Sequence, residues 1–199
     1  MKSIYKMTFA ALLGATLAGC GGQSFEEALL DQANEFDALV DRVDGMALSG
    51  SRVVDNTTGR ASFSGGAAII AGSEFNATIL IGDADVDVNF NGGTDVSGSI
   101  TNVGGLANAN TYISGSGDLG SYSGTVALSN GSVGGGNTVS VDYAGTLVGN
   151  GDRLVLDGTM DGVFLGNPQI RAIDVLDSGV ATLNGSRVNV AVEVVAERD

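Results

Sequence analysis

Gly82-Asp83-Ala84-Asp85-Val86-Asp87-Val88-Asn89-Phe90-Asn91-Gly92 is the stretch that decides the fold. Ala84, Val86, Val88 and Phe90 alternate with Asp83, Asp85, Asp87 and Asn89, a period of two. One wet face and one buried face mark an antiparallel strand in a sandwich or barrel. Asn91-Gly92 then supplies the positive φ angles of a type I′ turn, the strongest short-range hairpin signal.

The same period recurs on both sides of that stretch. Val188, Val190, Val192, Val194 and Ala196 alternate with Arg187, Asn189, Ala191, Glu193, Val195 and Glu197. Val139, Val141, Tyr143 and Leu147 alternate with polar or small residues, Gly145 excepted. Asn-Gly pairs also stand at 130–131, 150–151 and 184–185, making four in all. Four hairpins imply about eight strands, and ~150 residues suit an eight-stranded, antiparallel up-and-down barrel that closes its own edges. A β-sandwich is the alternative. Gly98, Gly158 and Gly162 inside strands would serve as bends or bulges. The stretch from Gly104 to Gly124 is less regular and reads as a long loop.

Upstream the period changes to that of a helix, over residues 24–43. Ser24 with Glu27 forms a capping box, in which hydroxyl and carboxylate satisfy orphan backbone donors reciprocally. Phe25, Leu29, Ala33, Phe36, Val40 and Val43 draw an apolar stripe at spacings of three and four. Glu26, Glu27 and Asp31 suit the positive end of the helix, and Gly45 is the expected C-cap. Arg42 stands alone among the acidic residues of this helix, which disfavours lipid as the partner of the stripe. Docking on the following domain is the expectation.

The first residues are a short positive segment with Lys2 and Lys6, an apolar run from Met7 to Ala18, and Gly19-Cys20. That is the grammar of a secretory signal. The apolar run falls short of the roughly 20 residues a spanning helix needs. Leu17-Ala18-Gly19-Cys20 resembles the bacterial lipobox, which implies cleavage before Cys20 and acylation of its thiol. Each acyl CH₂ buried in lipid then contributes roughly 0.8 kcal/mol to anchoring. Gly21 rather than Asp follows the cysteine, which by resemblance to sorted lipoproteins implies the outer membrane. The expected organisation is a signal peptide at 1–19, a lipidated tether and helix at 20–45, and a barrel domain at 46–199.

Without residues 1–19 the chain keeps seven Arg against 23 Asp and Glu, a formal charge of 7 − 23 = −16. Such a surface repels nucleic acid and anionic headgroups. The sequence contains no His, and Cys20 is the single cysteine. His-based triads, cysteine nucleophiles and the usual zinc sites therefore cannot be assembled. No G-x-S-x-G elbow and no Gly-rich loop ending in Lys is present. Paired carboxylates could serve a glycosidase, but such sites sit in aromatic clefts, and the chain has no Trp. Asp83-x-Asp85-x-Asp87-x-Asn89 resembles a calcium loop without its glycine at position six or its glutamate at position twelve. We expect no catalysis, cofactor or metal. Tyr112 and Tyr122, in the irregular stretch, are the candidate ligand contacts, whereas Tyr143 falls in phase with the core valines.

From residue 50 to about residue 180 the chain resembles the C-terminal β-barrel module of surface lipoproteins of the transferrin-binding protein B and factor H-binding protein type. The matching pattern opens at Thr58-Gly59-Arg60-Ala61-Ser62-Phe63. It passes through the acidic alternating strand to Val96-Ser97-Gly98-Ser99-Ile100. It ends in Leu156-Asp157-Gly158-Thr159-Met160-Asp161-Gly162-Val163-Phe164-Leu165-Gly166, similar to the family's G-x-x-x-G-x-F-x-G hairpin. Gly166-Asn167-Pro168 stands where that family has Tyr-Gly-Pro. The resemblance implies a barrel whose loops bind a host protein or a small ligand. The competing expectation is a structural or adhesive envelope protein that assembles through its helix.

Overall fold

The computed structural model describes residues 24–48, 58–73, 76–91, 95–109, 119–166 and 169–199. Helix α1 (Phe25–Leu48) precedes nine strands: β1 (Arg60–Ala71), β2 (Thr78–Asn89), β3 (Asp95–Leu106), β4 (Leu119–Ser121), β5 (Val126–Val133), β6 (Thr138–Gly149), β7 (Asp152–Leu165), β8 (Ala172–Leu183) and β9 (Ser186–Arg198). Every strand pairs antiparallel with its neighbour, and β1 pairs with β9, closing the sheet on itself. Strands β4 and β5 hydrogen-bond to successive parts of β3, so they are one stave broken around Gly124 (φ 119°). The barrel therefore has eight staves, as the alternation and turn chemistry predict.

Inward side chains form one core from Phe63, Leu80, Ile100, Tyr143, Leu154, Met160 and Ile173, among others. One end of the barrel is filled by rings: Phe164 lies 5.9 Å from Phe63 and 5.5 Å from Phe90, centroid to centroid. Both separations fall in the range where aromatic pairs attract beyond simple burial. At that same end the chain terminus is tied to β1. The Asp199 amide donates to the Ser62 carbonyl at 3.1 Å, and Ser64 Oγ donates to Asp199 Oδ1 at 2.8 Å.

Two Asn-Gly pairs form the expected turns, with φ of 49° and 77° at Asn150-Gly151 and 52° and 82° at Asn184-Gly185. Asn91 stands at the β2–β3 connection, where its Oδ1 accepts from the Gly59 amide at 2.9 Å. Asn130-Gly131 is not a hairpin, contrary to expectation. Asn130 (φ 53°) is an extra residue inside β5 that shifts the register against both β3 and β6. A positive φ before glycine serves a bulge as well as a turn, and the chain reverses later, at Gly135–Asn137.

Helix α1 begins with the expected capping box. The Ser24 amide donates to Glu27 Oε2 at 2.9 Å, and the Glu27 amide donates to Ser24 Oγ at 3.2 Å. Its end differs from expectation: the helix passes through Gly45 to Leu48, so it crosses the anticipated boundary at 45/46. Met46 still packs against the barrel, and that tertiary contact overrides the poor helix propensity of Gly45.

The stripe docks on the barrel's outer wall. Leu29, Ala33, Phe36, Leu39 and Val43 are buried against Ala68, Ile81, Leu165, Ala172 and Val195. Each large apolar side chain enclosed this way contributes roughly 1.5–3 kcal/mol. Phe36 lies over Gly66, where a Cβ would come within 2.6 Å of its ring. Two members of the expected stripe depart from it: Phe25 is 45% exposed, and Val40 is only partly buried, with Leu39 enclosed beside it instead.

Candidate functional site

Leu17, Ala18, Gly19, Cys20 and Tyr112 lie outside the described residues. No helix among the described residues is long and apolar enough to cross a membrane. Tyr122 is described, and it is an interior residue rather than a displayed one, 4% exposed at the break between β4 and β5. Its amide donates to the Val103 carbonyl at 2.7 Å, which turns the ring into the barrel.

Tyr122 belongs to a polar knot that closes the end of the barrel opposite the Phe cluster. Thr78 Oγ1 donates to Asp152 Oδ2 at 3.2 Å, and Asn184 Nδ2 donates to Asp152 Oδ1 at 2.7 Å. The Arg153 amide returns a bond to Asn184 Oδ1 at 2.8 Å. Two Asn-Gly hairpins are stitched together by these contacts. The Tyr122 hydroxyl lies beside Asp152 without completing a well-formed bond among the described residues. Burial, then the Asp152 charge, holds its ionisation well above the ordinary tyrosine range.

A second interior pair sits in the wall between β7 and β8. Ladder pairing there stops at Asp161/Leu176 and resumes at Val155/Thr182, so the strands part in between. Across this gap Tyr143 Oη donates to Asp177 Oδ2 at 2.6 Å. Gly158 makes room for the Tyr143 ring, since a Cβ there would lie 2.6 Å from its hydroxyl. Gly158 is thus a ring seat rather than a bulge. Gly162 is a close backbone approach to Asp174 and Val175, whereas Gly98 does stand at the register shift between β3 and β5. Burial first, then the bond to Asp177, raises the Tyr143 ionisation.

The outer face carries the remaining polar features. Asp85 and Asp87 are exposed, as expected of a wet strand face, and Ser62 Oγ donates to Asp87 Oδ1 at 2.6 Å. Asp83 is half-buried and does more. Gln32 Nε2 of α1 donates to its Oδ1 at 2.8 Å, and Asn102 Nδ2 donates to its Oδ2 at 2.7 Å. Asn102 sits at φ 49° in a bulge of β3, which aims its amide at Asp83. At the other end of the helix, Arg42 binds Glu197 through Nε at 3.3 Å and Nη2 at 2.8 Å.

Near the Arg42 tie lie three carboxylates. Asp174 of β8 pairs with Val195 and Glu193 of β9 pairs with Leu176, which makes the two acids diagonal neighbours on the outer wall. Asp44 of α1 acts on both through its charge. Burial, then Asp44, pushes Asp174 up to about 6. Burial, then Asp174 and Asp44, pushes Glu193 up to about 7. The alternation puts Glu193 and Val195 together on a wet face, but Val195 is 1% exposed because the helix covers it. The missed signal was apolar or small residues in the outward phase: Gly66, Ala68, Ile81, Ala172, Ala191 and Val195.

Among the described residues, no group of three His, Cys, Asp or Glu side chains converges in a way that could hold a metal ion. No protein-family model, curated protein or solved structure matches the chain.

Proposed function

We propose that the chain is an outer-membrane lipoprotein, anchored through acylated Cys20, whose barrel binds a protein or a small ligand through its loops without catalysis. The observation that favours this over helix-driven assembly is the docking of α1. The stripe that could have recruited a second chain is buried on its own barrel at Leu29, Ala33, Phe36, Leu39 and Val43. The interior is filled by apolar side chains and two tyrosines with their polar partners, which favours a contact surface outside it, such as the connections between staves.

The test joins three measurements. Cys20→Ala is expected to move the protein from the membrane fraction to the soluble one. Trypsin applied to intact cells reports which side of the membrane the domain faces, allowing for its few arginines and its lack of lysine after residue 6. Residues 20–199 without lipid are expected to be monomeric and to capture a ligand from medium or envelope extract. A soluble chain in the wild type would overturn the anchor. Concentration-dependent oligomers that Phe36→Asp dissolves would instead support assembly through the helix.

A further inference from the structure

The helix–barrel interface buries acids where a stable contact would ordinarily place apolar or paired groups. Asp44, next to the enclosed Val43, is half-buried and near enough to Asp174 and Glu193 for its charge to act on both. Asp174 and Glu193 rise from that same floor, half-buried and diagonal to one another. The other charged groups on the packed elements include Asp37, Asp41 and Arg42 of α1, Glu197 and Arg198 of β9, Asp83 of β2 and Asp161 of β7. Asp83 is occupied by Gln32 and Asn102. Arg42 is the only cation of the helix, and it is committed to Glu197.

We infer that Asp174 and Glu193, facing the charge of Asp44, form a proton-operated latch, holding α1 on the barrel while the two wall carboxyls are partly protonated and loosening it as both ionise. Release would bare the small-residue floor of Gly66, Ala68, Ala172 and Val195 on the outer wall. The direction follows from linkage. The docked values of about 7 for Glu193 and about 6 for Asp174 stand above their ordinary values of 4.5 and 3.8. The docked state therefore binds more protons than the released one. Docking is strongest below about pH 4, weakens as pH rises to about 7, and is flat beyond that. Asp37, raised by burial and then by Asp41, pulls in the same direction. The latch needs no lipid anchor and stands or falls independently of it.

Hydrogen exchange of the α1 amides in the full chain, corrected for intrinsic rate, reads the released population between pH 5 and pH 8. The expected result is at least about a tenfold larger opening constant at the upper end, with the β6 and β7 amides unchanged as an internal control. Asp174→Asn with Glu193→Gln is expected to remove most of the slope and keep α1 protected at pH 8. Asp44→Asn, on the helix and outside the sheet, is expected to reduce the slope, and it guards against a folding defect in the pair. Protection of α1 that is independent of pH in the wild type overturns the latch. So does a slope that survives both variants unchanged.

Discussion

Gly158 shows how one hydrogen atom in place of a methyl group can set a stave. The Tyr143 ring lies on it, and only from that position does the hydroxyl reach Asp177 at 2.6 Å across the gap between β7 and β8. Gly158→Ala puts a carbon 2.6–2.8 Å from the ring, so the ring must lift and the bond to Asp177 must stretch or break. We expect a loss of about 1–3 kcal/mol, the usual range for overpacking a filled core. Urea denaturation of Gly158→Ala, Tyr143→Phe and the double variant reads it. The two effects should be strongly non-additive, because both act on the same bond. Additive losses would show that the glycine and the ring are independent. Neither partner is conspicuous in the sequence: Tyr143 reads as core from its phase, but nothing local announces that its hydroxyl has a carboxylate to find.

At the scale of the element, α1 is a helix that outruns its own stop signal. Gly45 is exposed, lies inside the helix, and has open space where a side chain would go. Gly45→Ala is therefore expected to stabilise the protein by about 0.5–1 kcal/mol, since alanine costs less entropy to hold in a helix and meets no neighbour. A thermal melt that falls instead would mean the helix ends at Gly45 in solution. The capping box and the apolar stripe were legible because they are local: Ser24 with Glu27, and residues three and four apart. The C-terminal limit was not, because the contact that extends the helix, Met46 on the barrel, is made between distant parts of the chain. The same distinction separates the Asn-Gly pairs. Asn150-Gly151 and Asn184-Gly185 turn the chain, whereas Asn130-Gly131, identical in type, merely swells a strand. What decides is whether the flanking strand still has a partner to continue along.

For the molecule as a whole, charge opposes what packing holds together. Leaving residues 1–19 out of the sum, seven arginines stand against 23 acids, and Arg42 with Glu197 ties helix to wall in the one salt bridge between described residues. Raising salt from roughly 0.02 to 0.3 M shortens the screening length severalfold, so the urea midpoint should rise rather than fall. A midpoint that falls would show that attractive pairs outweigh the net repulsion. Stave number and the inward residues of most strands were readable from period and turn chemistry. The outer wall was misread wherever the helix lies, since alternation tells which way a side chain points and not what covers it. Val195 and Glu193 point outward as the period requires, yet both lie at the interface with α1.

The closing ladder between β1 and β9 has a consequence in time. A chain emerging from a ribosome or a translocation pore presents α1 first and β9 last. The helix's floor is drawn from both: Gly66 and Ala68 come early, Val195 and Ala172 late. Until the final strand arrives, the helix has half a floor and the first strand an open edge. Full seating of the helix therefore requires β8 and β9 to be in place beside β1.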